Sequence, residues 1–176
     1  PAREVPVSNF NELHLLNAVE GPWDVSFDTA WGGPSHVTFD TLQEWTTRPE
    51  AGIRHYSGIA HYRTTLELHE VPPARLWLDL GEVHCIAHVR MNRRDLGVVW
   101  CAPWRLEITG AARAGRNQLE IDLANLWVNR LIGDEAFPDD GVKDGKFPEW
   151  LFTGKPRTSG RYAFTPVKFY TAASPL

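Results

Sequence analysis

Ten side chains in this sequence have types suited to gripping a ligand: Trp31, Trp45, His55, Tyr56, Trp100, Trp104, Trp127, Asn129, Arg130 and Trp150. They fall at or just beyond the ends of strand-like stretches. A flat indole or phenol covers an apolar surface of C–H groups, while guanidinium, amide and carboxylate groups bond hydroxyls in pairs. A saccharide ring offers both, a C–H face and a hydroxyl rim. Trp100, Trp104 and Trp127 are the leading plates because they belong to neighbouring strand ends. Asn129, Arg130 and Glu82 would supply the polar contacts, with Trp31 and Tyr56 as further aromatic candidates. The competing use of these rings is to fill a core, and the chain has eight Trp, eight Phe and four Tyr to fill one.

Other chemistries find less support. The sequence has no G-x-S-x-G, no Walker loop and no G-x-G-x-x-G. Its seven histidines match neither H-E-x-x-H nor a Cys/His zinc spacing. His61, His84 and His88 could meet on adjacent strands, but histidines on strands are more often surface residues. Paired carboxylates of the kind glycoside hydrolysis uses could be drawn from Glu82, Asp134, Glu135, Asp139, Asp140 and Asp144, since acids distant in sequence can meet in space. The acidic stretch from Asp134 to Asp144 could also hold a structural Ca²⁺ through oxygen ligands, although it lacks the EF-hand pattern; a solvated acidic loop is the plainer reading. No organic cofactor is implied.

The elements that must position these groups read as strands. The central frame is residues 82–110. Ala87, Val89 and Met91 alternate with His88, Arg90 and Asn92, the period of a strand with one buried face. Asn92-Arg93 sits where a two-residue hairpin turn would fall, with Arg a weaker choice than Gly in the second slot. Leu96, Val98 and Trp100 carry the return strand, and Leu106 and Ile108 the next. In that register Cys85 falls opposite Trp100 and Cys101 points to the other face, so a disulfide between them would need a bulge.

Before the frame, Trp23, Val25 and Phe27 alternate in a first strand, and Trp23 is assigned to the core. Trp31 lies on the Ala30–Pro34 loop. Phe39, Leu42 and Trp45 recur every three residues, which fits a short helical turn or a packed loop; residues 11–16 could form another turn. Residues 57–68 make a long strand with Ala60, Tyr62, Thr64, Leu66 and Leu68 on one face, stopped by Pro72-Pro73. Leu76, Leu78 and Leu80 follow with Trp77 facing away. After the frame, Leu119, Ile121 and Leu123 form the clearest strand. Residues 133–160 are long and irregular, as functional or docking loops often are. Tyr162–Tyr170 alternates once more and predicts a final edge strand, Pro166 being tolerated there.

Strands at about ten-residue spacing, without a dependable long helix, predict an all-β chain built as an antiparallel β-sandwich. At 176 residues the chain suits a single domain, with its core over residues 20–170. The net charge of −4 gives no basic footprint for nucleic acid. No apolar run would span a membrane, and the N-terminus, which starts at Pro1, lacks a signal-peptide layout, as expected of a mature form or an excised piece.

Strung together, GPWDVSF, YSGIAHYRTTLEL, LWLDLGEV, IAHVRMNRRDLGVVWCAPWRLEIT, GRNQLEIDLANLWVNRLIGD and SGRYAFT occur in an order that resembles the galactose-binding-like jelly-roll domain of glycoside hydrolases. The general pattern is similar to the sugar-binding domain of family 2 enzymes. The closer resemblance, through NLWVNRLIGD and SGRYAFT, is to the C-terminal β-sandwich region of family 106 enzymes, the α-L-rhamnosidases. Asn92-Arg93 departs from the Asn-Gly turn of many relatives. The resemblance implies a non-catalytic carbohydrate-binding module that directs a parent glycoside hydrolase to plant cell-wall polysaccharide, with rhamnose-containing pectin as one such polymer. The parent would be secreted or periplasmic. The implied partners are a polysaccharide or oligosaccharide and the parent's catalytic domain, which this chain could not hold beside the sandwich. The alternative is a structural domain that packs on the catalytic domain without binding glycan; an independent hydrolase is a third, remoter reading.

Overall fold

A computed structural model describes residues 13–166 and 168–176. Its strands are β1 (Trp23–Phe27), β2 (Val37–Phe39), β3 (Ile59–Leu68), β4 (Trp77–Asp79), β5 (Ile86–Met91), β6 (Arg94–Val99), β7 (Arg105–Glu107) and β8 (Gly115–Ala124). Three short helices accompany them: α1 (Ala51–Arg54), α2 (Val128–Asp134) and α3 (Trp150–Thr153). Six strands form one antiparallel sheet in the order β2-β1-β3-β8-β5-β6, and β4 pairs with β7 in a second. This is the expected antiparallel β-sandwich.

Alternation explains the core. Along β3 the burial pattern switches at nearly every step, with Ala60, Tyr62, Leu66 and Leu68 inside. The inward faces of β1, β5 and β8 add Trp23, Val25, Phe27, Val89, Met91 and Leu119, and the second sheet contributes Leu78 and Leu106. Each fully buried side chain of this kind stabilises the fold by roughly 1.5–3 kcal/mol. Phe27, Trp45 and Tyr56 meet edge to face within this cluster. The Trp45 indole N–H donates to the Tyr62 hydroxyl at 2.5 Å, and burial pushes that phenol up to about 12.

The hairpin turn falls at Asn92-Arg93, with φ of 52° and 68° at the two positions. Both residues adopt the left-handed region that two-residue turns demand. The Asn92 side chain also ties the turn to a neighbouring loop, its amide donating to Ala111 O and to Asn117 Oδ1 at 2.8 Å each. A bulge at Leu96-Gly97 shifts the β5–β6 register by one. Continued past Val99, that register sets Cys85 against Cys101, where the unbulged pairing set it against Trp100. The ladder stops at Val99, and both cysteines are free thiols.

Four expectations need correction. Residues 37–39 form β2, paired to β1, where three-residue spacing suggested a short helical turn or a packed loop; a single 3-10 turn does form at Trp45–Thr47, and Phe39 is fully buried but Leu42 is exposed. Residues 162–166 and 168–170 show no strand. Pro166 removes a ladder donor, and other partners take this segment's backbone, as shown below. The 133–160 segment is not featureless, since it holds α3 and a tight turn bridging Lys143 and Lys146. Of the turn expected over residues 11–16, positions 11 and 12 lie outside the described residues, and 13–16 have no regular structure.

Candidate functional site

Register places the candidate residues at one end of the large sheet. Phe27 pairs with Ala60, Ala60 with Leu123, Leu123 with Ala87, and Ala87 with Val99. These five residues mark a row across β1, β3, β8, β5 and β6. Trp31 lies just past this row after β1, and Tyr56 just before β3. Glu82 precedes β5. Trp100 and Trp104 follow β6, while Trp127, Asn129 and Arg130 follow β8. All eight therefore gather beyond the same end, spread over four strand spacings, about 19 Å.

Burial then separates them. Trp100 is 71% exposed and Trp127 50%. Trp31 is half-buried and meets Trp127 edge to face, with ring centroids 4.9 Å apart. Asn129 is half-buried and Glu82 exposed. Trp104 is half-buried and lines a groove of about 420 Å³ with Glu82, His84 and Pro103. The Asp79–Arg105 ion pair, 2.7 Å, borders the same groove. Two side chains leave the surface set. Tyr56 is fully buried; its hydroxyl accepts from Asp28 N and donates to Ile59 O. Arg130 is 4% exposed and takes part in a buried ion pair. Trp45, from the wider constellation, is a core residue.

The NLWVNRLIGD string that carries Arg130 forms a clamp. The Asn125 side chain donates to Tyr56 O and accepts from Gly58 N, both at 2.9 Å. Arg130 N donates to Ser57 Oγ. One turn on, Asp134 Oδ1 lies 3.0 Å from Arg130 Nε, close enough to pair electrostatically, although neither atom makes a directed hydrogen bond. Asp134 Oδ2 accepts from Tyr162 N at 3.0 Å and Ala163 N at 2.7 Å. The Arg130 guanidinium stacks over the Tyr162 ring at 4.6 Å. Gly133 permits the close approach: a Cβ there would sit 2.5 Å from Arg130 Nη2 and 2.6 Å from His55 Cβ. Burial first, then the Arg54 and Arg130 charges, lowers the His55 pKa below its ordinary 6.5.

Ser57, Asn125 and Tyr162 have no signal in the sequence that would mark them for this clamp. Asp134 stands out there only as one acid of a loop, and its i, i+4 spacing from Arg130 is the signal that points to the pair. It is Asp134, in place of strand pairing, that takes the backbone donors of residues 162 and 163.

The acidic stretch does not suit Ca²⁺ either. Asp140 accepts from Arg157 and Ser159, and Arg157 stacks over Trp150. Glu135 pairs with Arg161, itself bonded to Phe137 O and Pro138 O. Their oxygens already hold guanidinium donors, and among the described residues no three candidate ligands converge. Arg157 holds the Asp140 carboxyl below its ordinary 3.8, and Arg161 holds Glu135 below 4.5. A general acid needs the opposite shift.

The predicted histidine cluster does form in part. On the outer sheet face, His61 Nδ1 lies 2.6 Å from Asp122 Oδ1 and His88 Nδ1 lies 3.8 Å from Asp122 Oδ2. Asp122 lies between the two histidines in register, and Arg90, two residues on from His88, bonds Asp122 and Glu120. Burial alone would raise the Asp122 carboxyl, but the bonds from Arg90 and His61 outweigh it and hold the pKa below 3.8. His84 stands apart beside Glu82.

The fold is an antiparallel sandwich that also occurs as a small part of larger glycoside hydrolases. Over 97% of its length the chain superposes on part of a rhamnosidase from Novosphingobium sp. PP1Y, with a TM-score of 0.76 and 32% identity, covering 14% of that chain. It is 38% identical over 157 residues to a Formosa agariphila protein named for an inferred β-glucuronidase activity, matching 85% of this chain and 14% of the relative. A β-glucuronidase from Ruminococcus gnavus in complex with uronic isofagomine shares the fold, at a TM-score of 0.53 and 21% identity over 66% of this chain and 22% of that one. No family model matches. The chain thus spans 14% of the length of each of the first two relatives.

Proposed function

We propose that this chain is a non-catalytic carbohydrate-binding module of a larger glycoside hydrolase, with residues 1–176 forming one domain of it. The carrying observation is the pair of open indoles, Trp100 and Trp127, at one end of a rigid sheet. β8 and β6 lie two strand spacings apart at the sheet, about 10 Å, and the loops beyond them carry the two plates. Glu82 and Asn129 supply hydrogen-bonding groups beside them, and Trp31 braces Trp127. Trp104 and Glu82 border a neighbouring groove. The likeness to a rhamnosidase supports plant cell-wall polysaccharide, including rhamnose-containing pectin, as the target, and a family 106 type of parent enzyme. The lowered carboxylates of the 133–163 segment favour binding over hydrolysis.

The test is calorimetry or affinity electrophoresis of the chain against a panel of plant polysaccharides. Binding to one polymer is expected, with Trp100→Ala and Trp127→Ala each weakening it about tenfold, in line with a lost stacking contact. If both variants retain full affinity, the rim is not the site.

One observation favours a second reading. Ile59 and Ile86 both lie opposite Ala124 and are about half exposed, as is Val98, with Leu126 more open still. This apolar band adjoins the indoles and would suit packing against the parent's catalytic domain without glycan binding. An absence of binding to every polymer, with improved solubility on changing Ile59 and Ile86 to Thr, would favour it.

A further inference from the structure

A second concavity lies away from the indole rim, and its chemistry differs. β3 has ten residues and β1 only five, so β1 stops at Trp23 while β3 runs on to Leu68. The step leaves a groove of about 670 Å³ over Thr64 and Thr65. That volume falls within the range of small-ligand sites, about 300–1,000 Å³. Arg63 from β3, Arg116 from β8 and Arg113 from the β7–β8 loop all line it.

Three guanidiniums around one hollow are unexpected in a chain of net charge −4. Of the nearby acids, Glu67 lies opposite Arg116 in register, and Asp24 is part of the groove lining. Arg63 stands between Asp24 and Glu120 in register, but Asp24 pairs with His36 at 2.7 Å and Glu120 with Arg90 at 3.2 Å. Among the described residues, no carboxylate lies within 4 Å of the Arg63, Arg113 or Arg116 guanidinium, and the Arg63 side chain makes no hydrogen bond. Arg113 and Arg116 reach only neutral oxygens, those of Arg116 O and Thr65 Oγ1. Like charges lining one hollow repel one another, and an anion would relieve the repulsion.

The groove is also held in shape. Asn117 is fully buried and donates to Arg113 O and Gly115 O, at 2.7 and 2.9 Å. Its Oδ1 accepts from Arg113 N and from Asn92 Nδ2. The loop bearing Arg113 is therefore tied to the hairpin turn, so little ordering would be needed on binding.

We propose that this groove binds an anionic saccharide through Arg63, Arg113 and Arg116. A planar guanidinium fork matches a carboxylate or a sulfate ester in bidentate fashion. Thr38, Thr65 and Gln118 add hydroxyl and amide groups suited to sugar hydroxyls. The groove is distinct from the indole rim, and binding there does not depend on the rim's role.

Calorimetry with three probes tests this: a uronate trisaccharide, its methyl-esterified counterpart, and a sulfated trisaccharide of similar size. The charged probes are expected to bind and the ester at least about tenfold more weakly. A preference between uronate and sulfated probes identifies which anion the groove takes. Arg63→Gln and Arg116→Gln should each weaken binding about five- to tenfold, with Arg63→Lys intermediate because it keeps charge but loses the fork. Raising salt from about 50 to 500 mM should weaken it further, as the Debye length shrinks. Trp100→Ala should leave it unchanged, which separates this site from the rim. Equal binding of acid and ester overturns the proposal, as does full affinity in both Gln variants. So does saturable binding of a poly-glutamate peptide in the absence of any saccharide binding, which would make the groove a protein-docking surface.

Discussion

Replacing Asp134 with alanine should loosen the C-terminal segment and lower global stability. The carboxylate is 2% exposed, accepts two backbone N–H bonds and neutralises a guanidinium that is itself buried. A hydrogen bond to a charged group contributes about 1.5–3 kcal/mol. Breaking a buried ion pair from one side costs about 3–5 kcal/mol overall, because the remaining charge is stranded. At this chain length each kcal/mol shifts Tm by about 2–4 °C, so a fall of roughly 6–20 °C is expected. A circular dichroism melt reads the global loss. Hydrogen exchange at Tyr162 and Ala163 reads the local one, since both amides lose their acceptor. Asp134→Asn keeps one oxygen acceptor and should fall between wild type and alanine. The pair Arg130→Met with Asp134→Leu removes both charges together and should cost less than Asp134→Ala alone. A Tm within about 2 °C of wild type, with both amides still protected, would refute the clamp assigned to this pair.

Two further outcomes are expected. Asn117→Ala strips four hydrogen bonds from the β7–β8 loop and the hairpin turn and should cost about 2–4 kcal/mol, read as a lower urea midpoint, with faster exchange at Arg113 N. In acid, Asp140 and Glu135 should give way first: their pKa values are lowered in the fold, so their contribution is complete above about pH 5 and lost as pH falls through the lowered values. Protease cleavage within residues 133–163 should therefore be flat from about pH 7 to 5 and rise below about pH 4.

Period-two alternation made the sheet legible. At Trp23, Val25 and Phe27, and along β3, β5 and β8, one face had to be mainly apolar, and it is, with the buried Asn117 as an exception on β8. β2 was not legible because three residues are too few to show a period. The stretch from Tyr162 onward showed a period but lacked a strand, since its first amides are claimed by Asp134, a residue 28 positions earlier. Pattern along the chain cannot reveal a partner at that distance. For the same reason the aromatic candidates could be placed at one sheet end but not sorted. Strand ends fix where Trp100, Tyr56 and Trp127 lie; only packing decides that Tyr56 is sealed while the two indoles stay open.

That sorting bears on how such a rim could be useful. Two open plates without an enclosing pocket bury little ligand surface, and affinity from such contacts is low, near the millimolar range or about −4 kcal/mol. Alone, this would leave the polymer mostly unbound at ordinary concentrations. If, as proposed, the chain is joined to a catalytic domain, the same contact would become intramolecular whenever the enzyme is on its polymer, and effective concentrations in the millimolar range would raise occupancy without any new contact. A weak, open rim is then an advantage, because tight binding would hold the enzyme at one place on the chain. The arginine groove, at a different part of the sheet, would add a second weak contact on the same rigid frame. Two weak contacts on one frame favour polymers that carry neutral and acidic sugars in the right spacing, and discriminate against those that satisfy only one.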